Sequence, residues 1–148
     1  MTRQARNQRR LSRFGTRAGT TAVELVCVLP VLVGLILGAA DLGRSANYDN
    51  VLSNVARVGA EYGATHRRTR RNADQWEQRL IVAATEEAMH LPHFDASLLT
   101  LTVTTTTEAD GRLRVQVTAA YPFETVVHWP GFPTDIPLAS SVSFVEYR

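Results

Sequence analysis

The run LVCVLPVLVGLILGAA, residues 25–40, constrains this chain more than any other feature: sixteen consecutive residues carry no charge. As an α-helix it extends about 24 Å, short of a bilayer's hydrocarbon core of about 30 Å. Extending it back through Thr20–Val23 closes the gap and places Glu24 within the span. A carboxylate costs about 2.5–3.5 kcal/mol near mid-bilayer and less toward the interface, so Glu24 needs a reason. Upstream, Arg3, Arg6, Arg9, Arg10, Arg13 and Arg17 give the first 19 residues a charge of +6 with no acid. Residues 20–148 hold the other 10 basic and all 14 acidic residues, a net −4. All 16 basic residues are arginine, which reads as genomic base composition. The basic excess is thus a short tail beside an apolar run rather than a patch on a folded face, and no nucleic-acid partner is expected.

Three readings fit an arginine-rich start followed by an apolar run. A cleaved secretory signal needs small residues before the cut, and Gly38-Ala39-Ala40 supply them, with Asp41 then first. The pair in QRRLSRF is only a weak twin-arginine look-alike, because the apolar residues expected after it are displaced. A signal anchor also fits, with the arginines held on the cytoplasmic side and the C-terminal part outside. Neither reading uses Gly19 or Glu24. The third does: the segment resembles the N-terminus of type IV pilin-like proteins, in which a membrane peptidase cuts after a glycine and leaves glutamate as the fifth residue. Here that bond is Gly19–Thr20, and Glu24 becomes fifth. The resemblance implies that the cut removes the six arginines and creates an α-ammonium at Thr20. Glu24 of one subunit then pairs with that ammonium on a neighbour, offsetting the cost of both charges in lipid.

Within the same run, Pro30 removes one backbone hydrogen bond and is expected to kink the helix, which a membrane helix tolerates. Gly34 and Gly38 form a G-x-x-x-G pair suited to close helix approach. Cys27, the single cysteine, excludes an intramolecular disulfide and is read as apolar packing. Taken together, RFGTRAGTTAVELVCVLPVLVGLILGAADLGR resembles the start of TadE-like proteins. Gly19, Glu24, Leu29-Pro30 and Asp41-Leu42-Gly43-Arg44 match that family's pattern in order, specifically over residues 14–60 and loosely beyond. Leu25 departs from it, standing where many pilins of this system carry tyrosine. The resemblance implies a pseudopilin, or minor pilin, of a Tad/Flp pilus. Its implied partners are the lipid bilayer, a prepilin peptidase and other pilin or pseudopilin subunits, and its implied role is tight adherence.

The rest of the chain reads as an α+β head. Tyr48, Val51, Leu52, Val55, Val58, Gly59 and Tyr62 fall at helical spacing and predict an amphipathic stem over 41–64. THRRTRRNAD (65–74) reads as a solvated linker. A second helix is predicted over 74–90, with Asp74 as N-cap, Trp76, Leu80, Ala83, Ala84 and Ala88 inward, and Pro92 as its stop. Residues 98–107 and 112–121 read as strands, with Leu99, Leu101 and Val103 alternating on one and Leu113, Val115 and Val117 on the other. Asp110-Gly111 between them signals a hairpin. YPFETVVHWPGFPTDIP (121–137), with four of the six prolines, reads as a loop crossing the sheet, and 138–147 as the last strand. The expected architecture is a leader over 1–19, a transmembrane helix over 20–40, the stem over 41–64, and an extracytoplasmic head over 65–148. In that head a helix lies on a three-strand or slightly larger antiparallel sheet, as in pilin heads.

No convergent acid, base and nucleophile is legible. Glu87-x-x-His90 has the local form of a di-iron ligand pair, but lacks the second copy and the further carboxylates such sites need. His93, Ser97, Ser140, Ser141 and Ser143 lie in no nucleophile motif, and no glycine-rich phosphate loop is present. Trp129 and Phe132 read as plugs at the open end of the sheet, with surface adhesion as their alternative role. The sequence therefore predicts a structural and assembly protein with no catalytic residue, cofactor or metal. It sits as a single pass in the inner (cytoplasmic) membrane with its N-terminus in the cytoplasm, or in a surface pilus once assembled. The alternative is a signal-anchored or secreted binding module unrelated to pili.

Overall fold

The computed structural model describes residues 15–126 and 134–146, with side chains from Thr21 onward. The chain divides into two compact units, Met1–Ala40 and Asp41–Arg148. Five elements follow in order: α1 (Gly15–Thr65), α2 (Ala73–Ala88), β1 (Thr100–Thr107), β2 (Leu113–Glu124) and β3 (Asp135–Val145). The three strands form one antiparallel sheet in the order β1-β2-β3. This is the α+β arrangement the sequence predicts.

In the second unit, the part of α1 from Tyr48 onward and all of α2 are held to one face of the sheet by sequence period. Tyr48, Leu52, Val55, Ala56, Ala60 and Ala64 recur at three- and four-residue steps along α1 and are buried. Trp76, Leu80, Ala84 and Ala88 do the same along α2, while Ala83, expected inward, is only half-buried. On β2 the odd residues Val115, Val117, Ala119, Tyr121 and Phe123 are buried and the even ones face outward. The core has two ends. One gathers Tyr48, Leu91, Tyr121 and Phe123; the other gathers Trp76, Leu80, Val115 and Ala60, with Leu113 and Phe144 packed against it.

Local chemistry sets the element ends. α2 begins one residue earlier than predicted, and Asn72 rather than Asp74 occupies the N-cap position. Asn72 makes no side-chain cap because its amide serves the preceding loop. Its Oδ1 accepts from Thr69 N (2.6 Å) and Thr69 Oγ1 (2.9 Å), and its Nδ2 donates to Arg67 O (3.1 Å). Asp74 lies in the first turn, where a carboxylate complements the helix dipole. Helix α2 ends at Ala88, before Pro92. The following loop is gripped by two tyrosines: Tyr48 Oη donates to Pro92 O (3.1 Å), and Tyr121 Oη accepts from Asp95 N (3.0 Å). His93 between them has φ 54, uncommon for a side-chain-bearing residue. Hydrogen bonds from the Ser97 hydroxyl and N–H hold the Asp95 carboxyl below the usual carboxylate range.

The β1–β2 connection is the predicted hairpin. Gly111 N–H closes it onto Glu108 O (3.0 Å), with Gly111 at φ 79, a conformation only glycine adopts freely. The Arg112 N–H and guanidinium hold the Asp110 carboxyl below its ordinary range.

Both ends of the predicted loop over 121–137 are strand instead. Tyr121–Glu124 extend β2 and Asp135–Pro137 open β3, with Pro122 and Pro137 as register partners. An antiparallel pair exchanges both backbone hydrogen bonds or neither, and two prolines can form only the second kind. Their nitrogens therefore point to the outer edges of the β2–β3 ribbon. That is permitted because β1 ends opposite Ala120, two residues before Pro122. The alternation holds along the ribbon: Thr125 N–H donates to Thr134 O (3.1 Å) and Glu146 N–H to Leu113 O (2.8 Å), both at hydrogen-bonded positions. The expected roles of Trp129 and Phe132 concern residues outside those described.

Candidate membrane anchor and assembly segment

Gly19 and Thr20 lie within the helical backbone of α1, and Glu24 follows one turn later as an exposed side chain. Residues four apart share a helix face, so the Thr20 position and Glu24 stack on one side. From here α1 is apolar around its whole circumference. Leu25 is 60% exposed, Val26 70%, Leu35 66% and Ile36 67%. It is the one helix among the described residues long and apolar enough to cross a membrane. A helix that is apolar all round is stable only in a core or in lipid, and none of this window is buried among the described residues.

The remaining expected residues share this environment. Pro30 lies inside α1, which continues on both sides of it, and Cys27 is exposed. Gly34 is half-exposed, and a Cβ at Gly38 would meet nothing within 4 Å. The Gly34/Gly38 pair thus has no packing partner within its own unit at Gly38. The chain uses a second G-x-x-x-G, Gly59/Gly63, which spacing alone does not set apart from the first. A Cβ on Gly59 would lie 3.2 Å from Val117 Cγ1, and one on Gly63 would lie 2.7 Å from Val115 Cγ1 and 3.1 Å from both Leu80 Cδ1 and Trp76 Cζ2. Those glycines let α1 approach α2 and the sheet. Only knowledge of what lies opposite separates the two pairs.

The DLGR segment acquires a physical role. Asp41 and Arg44, three apart on α1, form an ion pair with Nη1 3.0 Å from Oδ1. Both Asp41 carboxylate oxygens lie 3.1 Å from Val126 N, just past the end of β2, and accept its N–H. The Arg44 guanidinium stands 5.2 Å from the centroid of the buried Phe123 ring. The Asp41 side chain is only 12% exposed, so this tie is sheltered from water. We expect Asp41→Ala to leave the Val126 amide without its acceptor and to cost the head about 1–2 kcal/mol, with Asp41→Asn retaining part of that. The check is the head's melting temperature together with hydrogen exchange at Val126; unchanged exchange in Asp41→Ala would remove the tie.

Other candidate chemistry resolves into structure. His90 Nδ1 lies 2.9 Å from the Glu87 backbone oxygen rather than its carboxylate. Ser141 Oγ accepts from Gln116 Nε2 (2.9 Å) and Thr118 Oγ1 (3.1 Å), and Ser143 Oγ accepts from Arg114 Nη1 (3.2 Å), all on the sheet's outer face. Among the described residues no group of three or more His, Cys, Asp or Glu side chains converges on a metal position.

The model of the family described as TadE-like protein matches residues 19–61, 43 of the 148 residues. No curated protein and no solved structure matches the chain.

Proposed function

We propose that this chain, TadE-like over residues 19–61, is a pseudopilin: a membrane-anchored structural and assembly component of a Tad/Flp-type pilus or related secretion apparatus that serves adherence. The observation that carries the reading is the placement of Gly19 and Glu24. The family match begins at Gly19, Glu24 lies five residues on, and the uncharged run of α1 starts at once after it. In this reading a prepilin peptidase cuts between Gly19 and Thr20, so residues 1–19 are a leader, 20–40 the membrane helix, 41–64 the stem and 65–148 the head. Glu24 pairs with the Thr20 ammonium of a neighbouring pilin-like subunit. Pro30 and the Gly34/Gly38 pair shape that subunit contact in lipid. The chain acts by assembling rather than by catalysis.

The intact mass of the mature protein tests this. A start at Thr20 supports the pseudopilin; a start at Asp41 identifies a secretory signal and one at Met1 an uncleaved anchor. Gly19→Asp is expected to leave a precursor heavier by the leader, because a peptidase must approach the backbone closely at a residue without a side chain. Wild-type processing of that variant would remove the main support.

Orientation follows from the arginines. Six before the apolar run hold the N-terminus in the cytoplasm and place Asp41 onward outside. Protease added to intact spheroplasts should therefore digest the head. A protected head would reverse the topology.

A further inference from the structure

The loop over 66–72, read from sequence as a solvated linker, is pinned in place. Asn72 ties Arg67 O and Thr69 as described, and Trp76 Nε1 donates to His66 O (2.7 Å). The His66 ring stacks on Tyr62 with centroids 3.9 Å apart, and the Arg68 guanidinium lies 5.6 Å from the Trp76 ring centroid. An open cavity of about 300 Å³ lies beneath it, lined in part by His66, Arg67, Asn72, Trp76 and Arg79. Among the described residues, Arg67, Arg68, Arg70, Arg71 and Arg79 have no carboxylate at ion-pair distance; the three ion pairs there use Arg44, Arg112 and Arg114. Glu146 shares a second open cavity with Arg68 and Arg70 but pairs with neither, so five positive charges outnumber the one carboxylate beside them.

The opposite end of the head has the opposite problem. Glu124 and Asp135 are register partners across β2–β3. Because Pro122↔Pro137 is a pair without mutual hydrogen bonds, so is Glu124↔Asp135, two residues on. That kind of pair brings opposing side chains closest. Both are exposed, and among the described residues neither has a basic partner. Like charges directly opposed in a sheet are unfavourable. Asp95 lies at the same Leu91–Tyr121–Phe123 end of the core, where its N–H donates to Tyr121 Oη.

We infer that the Arg67–Arg71 loop of one copy docks on the Glu124/Asp135 end of a second copy of this chain. Each surface supplies the charge the other lacks, both are carried by the same head, and they lie at opposite ends of its core. Formed once per pair of copies, such a contact is head-to-tail and builds a ring or an open filament; formed twice, it closes an antiparallel two-fold dimer. It rests on the assembly reading above and adds to it the surface through which heads meet.

The test uses the full chain in detergent micelles in a Cys27→Ser background. One preparation carries Arg70→Cys and another Asp135→Cys; they are mixed and mildly oxidised. The expected product is a disulfide-linked heterodimer whose yield falls roughly tenfold between about 50 mM and about 500 mM salt, since exposed charges are strongly screened there. Adding Arg67→Glu and Arg71→Glu to the first chain should abolish it, and Glu124→Arg on the second should restore it. A yield indifferent to salt or to charge reversal overturns the proposal, as does absence of heterodimer while both heads melt at the parent temperature. Salt-sensitive binding to phosphatidylglycerol vesicles without heterodimer would assign the arginines to anionic lipid and likewise overturn it. Because no step requires cleavage at Gly19, the uncleaved precursor should cross-link equally well, which separates failure of this contact from failure of the processing scheme.

Discussion

Glu24→Ala should be synthesised, inserted and cut at Gly19 like the parent, and should then fail to join other subunits. In the proposed scheme peptidase recognition depends on the leader and the glycine, whereas the carboxylate acts later. In the proposed assembly its partner in the membrane is the α-ammonium of Thr20 on a neighbour. Removing one member of a desolvated ion pair leaves the other uncompensated, at a cost of about 3–5 kcal/mol, while an exposed pair contributes about 1 kcal/mol or less. The loss of co-purification with pilin-like subunits, and of surface adherence, should therefore be nearly complete. Glu24→Asp should be intermediate, because the charge stays and its reach shortens. If Glu24 were only tolerated, the alanine variant would assemble at parent levels and be retained in the membrane at least as well. That outcome would return the segment to a generic signal anchor. The structure sharpens the test, because the Glu24 side chain is exposed on a helix with no protein around it in its own unit, so alanine there disturbs no packing.

Substitutions at Gly63 should have the largest effect on the stability of the head. An alanine Cβ would sit 2.7 Å from Val115 Cγ1 and 3.1 Å from both Leu80 Cδ1 and Trp76 Cζ2, and all three of those residues are buried. Overpacking of this kind costs about 1–3 kcal/mol. A glycine-to-alanine change within a helix returns about 1 kcal/mol through backbone entropy. The clash is greater than the return, so Gly63→Ala should lower stability by about 1 kcal/mol and Gly63→Leu by about 3 kcal/mol or more, enough to unfold a marginal head. Gly59→Ala is the internal control. Its nearest contacts are 3.2 Å and 3.4 Å, so the two contributions nearly cancel and the melting temperature should hardly move. Gly38→Ala should leave the melt of the head unchanged, since Gly38 lies in the other unit and a Cβ there meets nothing within 4 Å. Thermal melts of the four variants followed by circular dichroism decide the matter. A Gly63→Ala head that melts above the parent would show that α1 does not need its bare backbone at that point.

Features that depend on neighbours along the chain are legible in the sequence. Sixteen uncharged residues after Glu24 define an anchor-like helix because burial preference is additive along a run. The three- and four-residue steps of Tyr48, Leu52 and Val55, and of Trp76, Leu80 and Ala84, define faces because the helical repeat is fixed. Alternation through Val115 and Val117, with Asp110-Gly111 before them, defines a hairpin because pleat and turn chemistry are local. Those signals suffice for the α+β class. What stays hidden depends on what lies across from a residue. Gly34/Gly38 and Gly59/Gly63 have the same spacing, and only the packing of α1 on Leu80, Val115 and Val117 reserves the second pair for close approach. Pro122 and Pro137 read as loop until β1 is seen to end opposite Ala120, leaving edges where two missing N–H groups do no harm. Asn72 displaces Asp74 at the helix start because its amide has partners in the preceding loop. Composition and period are enough for the two helical faces, the hairpin, the charge asymmetry and the apolar run with Gly19 and Glu24 at its head. Register, close approach and the opposed carboxylates of Glu124 and Asp135 emerge only on folding, because each is a relation between residues that are not neighbours along the chain.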